Sequence, residues 1–137
     1  VKNDLDDLLK DVISLLIKKV NPIVIYLFGS AARNELREES DVDIAYYGDA
    51  SLTSYENFML AQELSEILKK DVDLVDLKKS SAVFKAQVVG TGKKIFCSDE
   101  DKRMYFEMIA FKDYALLNEE RKDIIEGIKK RGSVYGR

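Results

Sequence analysis

Helical and strand-like periodicities alternate along this chain and end in one long apolar-rich stretch, which predicts an α/β (α+β) domain with a long C-terminal helix. Three observations carry that expectation. Apolar residues recur at helical spacing near residues 5–20, 58–68 and 104–128. Short strand-like runs lie between these stretches, and Gly, Pro, Asn and Ser punctuate the junctions.

Leu5, Leu8, Leu9, Val12, Ile13, Leu16, Ile17 and Val20 define an amphipathic first helix, capped by Asn3 or Asp4 and ending near Asn21-Pro22. Ile23 to Phe28 is apolar without a break and reads as a strand buried on both faces, stopping at Gly29 where the backbone can turn sharply. Ser30 then opens a short helical stretch through Ala31-Ala32-Arg33, followed by a polar link to Ser40. The second strand runs Asp41 to Tyr47 and ends at Gly48-Asp49. Ser51 or Thr53 starts the next helix, which carries Phe58, Leu60, Ala61, Leu64, Ile67 and Leu68. Asp71 to Leu77 is the third strand. Ser80 or Ser81 caps a helix through Val89 that Gly90-Thr91-Gly92 terminates, and Lys94 to Cys97 is the last strand. The acid-rich Ser98-Asp-Glu-Asp101 begins a helix to about Lys130, leaving 1–130 as one domain and 131–137 as a flexible basic tail. Met104, Tyr105, Met108, Ile109 and Phe111 exceed one narrow stripe, so this helix either packs across the sheet or faces a second protein.

Composition excludes several classes of chemistry. The chain has 137 residues, enough for one cored domain but short for an enzyme that also carries an acceptor domain. With no histidine there is no Ser-His-Asp triad, zincin motif or histidine base, so carboxylates must carry any acid–base work. Cys97 is the single cysteine, which rules out an internal disulfide and reads as a small buried thiol. A net charge of -3 offers no electrostatic case for direct nucleic-acid binding. No apolar run approaches the length of a membrane span, and acidic residues interrupt the N-terminal stretch where a signal peptide would need apolarity, so a cytoplasmic location is expected.

The residues that bear on chemistry lie between 29 and 43. Backbone amides after the Gly29-Ser30 turn can meet a phosphate. Asp41 and Asp43 sit two apart in a strand, so both carboxylates leave one face with α-carbons roughly 6.6 Å apart. Two such charges at about 4 Å repel by ~1 kcal/mol in water and ~4 kcal/mol at an effective dielectric near 20. A divalent cation converts that repulsion into attraction, and oxygen ligands suit Mg2+ or Mn2+. A lone Asp-x-Asp is also an ordinary exposed strand edge; its combination with Gly-Ser at a buried strand end, Arg33 and Ser40 is what makes it informative.

Gly29-Ser-Ala-Ala-Arg33 followed by Ser40-Asp-Val-Asp-Ile44 resembles the signature of the minimal nucleotidyltransferases, a branch of the DNA polymerase beta superfamily. The resemblance spans at least residues 20 to 97, and it implies the nucleotidyltransferase fold, a small mixed sheet flanked by helices. It further implies an NTP bound with two Mg2+ ions, or Mn2+, and nucleotidyl transfer to a hydroxyl. Gly29, Ser30, Arg33 and Ser40 would then bind or orient the nucleotide. Arg33 can fork onto a phosphate or be a surface arginine. Asn34 departs from the glycine of many relatives, but Asn tolerates a left-handed turn. In Lys70-Asp-Val-Asp-Leu-Val-Asp-Leu77, alternation puts Val72, Leu74 and Asp76 on one strand face and Asp71, Asp73 and Val75 on the other; the family pattern V-D-L-V falls on Asp73, which the resemblance makes the third metal ligand and the acceptor of the hydroxyl proton. Asp71 and Asp76 read as solvated charges at the strand ends.

Within the family the chain is similar to antitoxins encoded beside HEPN-family (HepT-like) toxins. Besides the G-S-x10-D-x-D spacing, Ser80-Ser-Ala-Val83 after the third strand and Gln87-Val-Val89 before Gly90-Thr-Gly-Lys93 carry this likeness. It implies that ATP supplies AMP to a tyrosine hydroxyl of a ribonuclease toxin. The alternatives are a non-catalytic antitoxin that binds its toxin stoichiometrically, and a small-molecule adenylyltransferase of the aminoglycoside-modifying kind.

Overall fold

The computed structural model describes residues 2–32 and 41–134, with the elements in the expected order. They are α1 (Lys2–Val20), β1 (Pro22–Phe28), a 3-10 turn (Gly29–Ala31), β2 (Val42–Gly48), α2 (Ser54–Leu68), β3 (Val72–Asp76), a second 3-10 turn (Leu77–Lys79), α3 (Ala82–Thr91), β4 (Lys93–Cys97) and α4 (Glu100–Val134). The strands form one mixed sheet in the order β3-β2-β1-β4. β1 is antiparallel to both β2 and β4, whereas β2 and β3 are parallel, as a crossover through α2 requires.

Helices cover both faces of this sheet. On one side Ile25, Leu27, Ile44 and Leu74 meet Val12 and Leu16 of α1 and Leu60 and Leu64 of α2. On the other, Val24, Tyr26 and Ala45 pack with Val88 of α3 and Phe106 of α4. Double-sided cover explains why β1 is apolar along its whole length rather than alternating. α2 begins with a capping box: the Glu56 amide donates to Thr53 Oγ1 at 3.1 Å and the Thr53 amide donates to Glu56 Oε1 at 2.9 Å. Ser81, rather than Ser80, caps α3.

Polar bonds fix the start of α4 on the sheet. Buried Tyr26 donates from its hydroxyl to Glu107 Oε2 at 2.6 Å, and Arg103 Nη1 donates to Glu107 Oε1 at 2.6 Å. Arg103 Nη2 also donates to Glu100 Oε2 at 2.9 Å, and Lys94 on β4 reaches Glu100 Oε1 at 3.3 Å. The Arg103 guanidinium is the main reason the Glu100 carboxyl titrates down at about 2.

Several local features differ from the sequence reading. α1 already includes Lys2, so its start precedes the expected Asn3 or Asp4 cap. Gly90 and Thr91 lie inside α3, and of the Gly90-Thr91-Gly92 stretch it is Gly92, in extended backbone, that ends the helix. α4 continues through Val134, four residues into the segment read as a tail, while 135–137 lie outside the described residues. Among the described residues no helix is long and apolar enough to cross a membrane.

Candidate active site

Three strand ends meet at one edge of the sheet. β1 finishes at Phe28, β2 starts at Val42 and β3 starts at Val72. Phe28 is paired with Asp43, and Asp43 is paired in parallel register with Asp73. Directly paired residues project to the same face, so both carboxylates emerge on the α3/α4 side about one strand spacing, ~4.8 Å, apart. Asp41 lies two positions before Asp43, just ahead of β2, and is exposed. The Val42 amide donates to the Asp71 carbonyl at 2.9 Å, which locks the two strand starts together.

The charges at this edge act on one another. Asp43 has its carboxyl pushed above the ordinary value of 3.8, first by burial and then by the negative charges of Asp73 and Asp41. An apolar pair lies beside this edge: Phe28, opposite Asp43 in register, meets Phe84 of α3 edge-on with ring centroids 5.4 Å apart. Sequence reading assigned neither ring to the site. Phe28 lay unremarked within a strand, and the approach of Phe84 depends on a helix fifty-odd positions later.

Gly29 is tied to the same carboxylate. Its φ is +64°, and a Cβ built on it would collide with Asp43 Oδ2. Backbone conformation and close approach therefore both demand glycine. The turn after it differs from expectation: Gly29–Ala31 is a single 3-10 turn rather than the opening of an α-helix. A turn of three residues has too few aligned peptides to sum into a helix dipole. Ser30 is half-buried within this turn. Arg33 and Ser40, the remaining candidates, lie outside the described residues, as does Asn34.

Asp76 needs a correction, because it is not a solvated strand-end charge. Its Oδ1 accepts from the Lys78 amide at 2.9 Å, capping the second 3-10 turn, while Oδ2 is buried without a hydrogen-bond partner among the described residues. Parity places it on the sheet face opposite Asp73, paired with Tyr46, whose hydroxyl donates to Asn57 Oδ1 at 2.8 Å. It therefore stands apart from the carboxylate edge. Asp71 is exposed, as expected.

The donors fit a hard divalent cation in kind: three carboxylates at one edge, two of them in register, with Asp43 coupled to both of the others. Among the described residues, however, no three acidic side chains are gathered tightly enough to form a ready coordination cluster. Burial first, and then repulsion from Asp73 and Asp41, accounts for the raised Asp43 carboxyl.

Comparison with known proteins agrees with this geometry. Residues 10–101 match the family model described as Polymerase beta, Nucleotidyltransferase. Protein adenylyltransferase MntA of Shewanella oneidensis is 37% identical over 105 residues, covering 77% of this chain and 75% of that protein. A crystal structure of a toxin-antitoxin with AMP-PNP contains a chain 35% identical, with a TM-score of 0.77 over 88% of this chain and 97% of its own. Another structure, a tri-AMPylated Shewanella oneidensis HEPN toxin in complex with MNT antitoxin, matches at 34% identity and a TM-score of 0.71, over 88% and 94% of the two chains. A Gly-Ser turn beside paired aspartates, in a sheet that superposes on these relatives and a sequence that matches the family over most of its length, places the chain in the polymerase beta nucleotidyltransferase family.

Proposed function

We propose that this chain is an adenylylating antitoxin, transferring AMP from ATP to a tyrosine hydroxyl of a cognate HEPN-type ribonuclease toxin and thereby silencing it. The observation that carries the proposal is the in-register pair Asp43 and Asp73 beside the Gly29 turn, in a chain similar to MntA over 77% of its length. The complex of a relative with AMP-PNP supports ATP as the donor, and the AMPylated toxin bound to another relative supports a protein acceptor. ATP supply fits work in the cytoplasm.

In this reading Asp73 accepts the proton of the toxin hydroxyl, directly or through one water. The hydroxyl oxygen bonds to the α-phosphorus as the α–β bridging bond breaks, and pyrophosphate leaves in line. Gly29 and Ser30 hold the β- and γ-phosphate oxygens through amide and hydroxyl donors. Arg33 forks onto the same phosphates, and Ser40 orients the loop entering β2. Mg2+, as two ions or replaced by Mn2+, would be held by Asp41, Asp43 and Asp73 and would supply charge neutralisation and a lowered hydroxyl pKa. Phe28 and Phe84 shield the Asp43 side of the edge from water, which strengthens every charge interaction there.

The intact mass of the toxin encoded next to this chain tests the reading. Incubation with the protein, ATP and Mg2+ should add one or more AMP units, and no mass gain would refute it. Neutralisation by binding alone is the second reading, favoured by the exposed apolar residues of α4, which offer a surface independent of the carboxylates. Toxin inhibition that survives loss of Asp41 and Asp43 would support it.

A further inference from the structure

A small cavity opens on the α3/α4 face of the sheet, at the end of β2 away from the aspartates. Its volume is about 170 Å³, and Tyr47, Lys78, Lys85, Tyr105, Phe106 and Asp113 are among the residues that line it. Asp43, Ala45 and Tyr47 alternate onto one face of β2, so Tyr47 stands roughly 13 Å from Asp43 along the strand, with fully buried Ala45 between them. The cavity is therefore a place apart from the carboxylate edge, and none of its residues takes part in the transfer proposed above.

Its walls carry three kinds of chemistry. Tyr47 stacks on Phe106 with ring centroids 3.9 Å apart and planes 20° from parallel, and Ile109 and Ala110 extend this apolar wall along α4. Two ammonium groups come from separate elements, Lys78 of the second 3-10 turn and Lys85 of α3. Lys78 Nζ donates to the Asp49 carbonyl at 2.8 Å, which holds the group in place and leaves its other N–H bonds to offer. Lys85 is half-buried, yet among the described residues its ammonium has no ion pair or hydrogen bond, and none joins it to the Asp113 carboxylate in the same cavity. Covering an ammonium without an anion is costly, and an incoming anion relieves that cost.

These features select a ligand by size and charge. The volume equals about six waters at ~30 Å³ each, room for one planar ring system but not for a whole nucleoside triphosphate. The aromatic wall suits the ring. Two lysines suit a phosphate monoester, which carries about −1.5 to −2 charge at neutral pH, and Asp113 can accept from an N–H group on the ring. A nucleoside monophosphate combines all three, with its base in the cavity and its phosphate on the lysines. We propose that this cavity is a second nucleotide site, selective for a nucleoside monophosphate and independent of the carboxylate edge.

Amide NMR of the full chain titrated with AMP in chelator tests it. Shifts should concentrate at Tyr47, Lys85, Tyr105 and Asp113 and persist in Asp41→Asn/Asp43→Asn, which removes two charges at the other end of β2. Lys85→Gln, which keeps most of the side chain's length, should weaken AMP about 10-fold or more, while the melting temperature and Mg2+-dependent binding of AMP-PNP stay at wild-type values. Tyr105→Ala, at a position 64% exposed, should weaken AMP as well with the fold intact. An absence of shifts at millimolar AMP, shifts confined to the Gly29 turn and Asp43, or equal AMP affinity in wild type and Lys85→Gln would overturn the proposal. So would adenosine or phenylalanine binding as tightly as AMP, since the lysines would then be reading no phosphate.

Discussion

Two groups of carboxylates lie on the same side of one sheet and experience opposite fields. Glu100 and Glu107 are answered by Arg103, Lys94 and the Tyr26 hydroxyl, and Glu100 titrates down at about 2. Among the described residues the charges that act on Asp43 are those of Asp73 and Asp41, and with burial they raise it above its ordinary value. The first group is a structural latch that completes its own electrostatics within the fold. Among the described residues the second group has no cationic partner at Asp43, an arrangement that costs stability and suits a place where a cation and a phosphate are to be held. The catalytic role proposed for the second cluster thus goes with like charges held close together, not with a completed ion-pair network.

Changing the charges at the carboxylate edge should have the largest effect. Asp41→Asn with Asp43→Asn is expected to lower AMP transfer from α-labelled ATP by roughly 10³-fold or more, with the circular dichroism spectrum preserved. Transfer within a few-fold of wild type would break the distinction between the groups. Gly29→Ala comes next, since the new methyl group meets Asp43 Oδ2 at a φ of +64°. It should destabilise by about 1–2 kcal/mol in denaturant melts and reduce transfer as well, whereas an intact rate would show that the close approach is incidental.

pH sharpens the contrast, because the two groups move in opposite directions. Asp43 holds its proton more tightly folded than unfolded, so its ionisation opposes folding and this penalty is relieved as pH falls through its raised pKa. Glu100, with its pKa depressed, contributes stability that is full above its unfolded value of 4.5 and is lost as pH falls towards about 2. Followed by NMR in chelator, the Asp43 carboxyl should accordingly titrate above the ordinary 3.8 of an aspartate, and a cation bound there should bring it down. A metal-free carboxyl at or below the ordinary value would contradict the coupling. The smallest effect belongs to the latch: Tyr26→Phe removes one hydrogen bond to Glu107 and should cost about 1 kcal/mol in urea melts while AMP transfer stays within about 2-fold. A large kinetic loss would mean that the latch and the catalytic edge are not independent.

Much of this was legible in the residues, because periodicity and parity are local. The unbroken apolar run of β1 announced a strand covered on both faces, and alternation within 71–77 separated Asp73 from Asp76 before any register was known. The capping residues Thr53 and Ser81 were each one of two candidates weighed. What stayed hidden depends on distant partners. The Tyr26–Glu107 bond joins residues 81 positions apart, and no local pattern signals it. Asp76 looked solvated because its burial comes from packing across the sheet, not from its neighbours in sequence. The 3-10 turn after Gly29 escaped notice because a small-residue run such as Ala31-Ala32 is equally compatible with a longer helix. The run of α4 past its buried Phe106 and Ala110 appeared only as surplus apolarity, since periodicity cannot show where a sheet ends.

Thermal melting of wild type and Asp43→Asn, in chelator and then with Mg2+ and AMP-PNP, tests the carboxylate edge most directly. In chelator the variant should melt higher than wild type, since it removes a charge that opposes folding. Mg2+ with the nucleotide analogue should then raise the wild-type melting temperature and leave the variant's nearly unchanged. A variant that melts lower in chelator, or that gains as much as wild type from Mg2+ and AMP-PNP, would contradict the account.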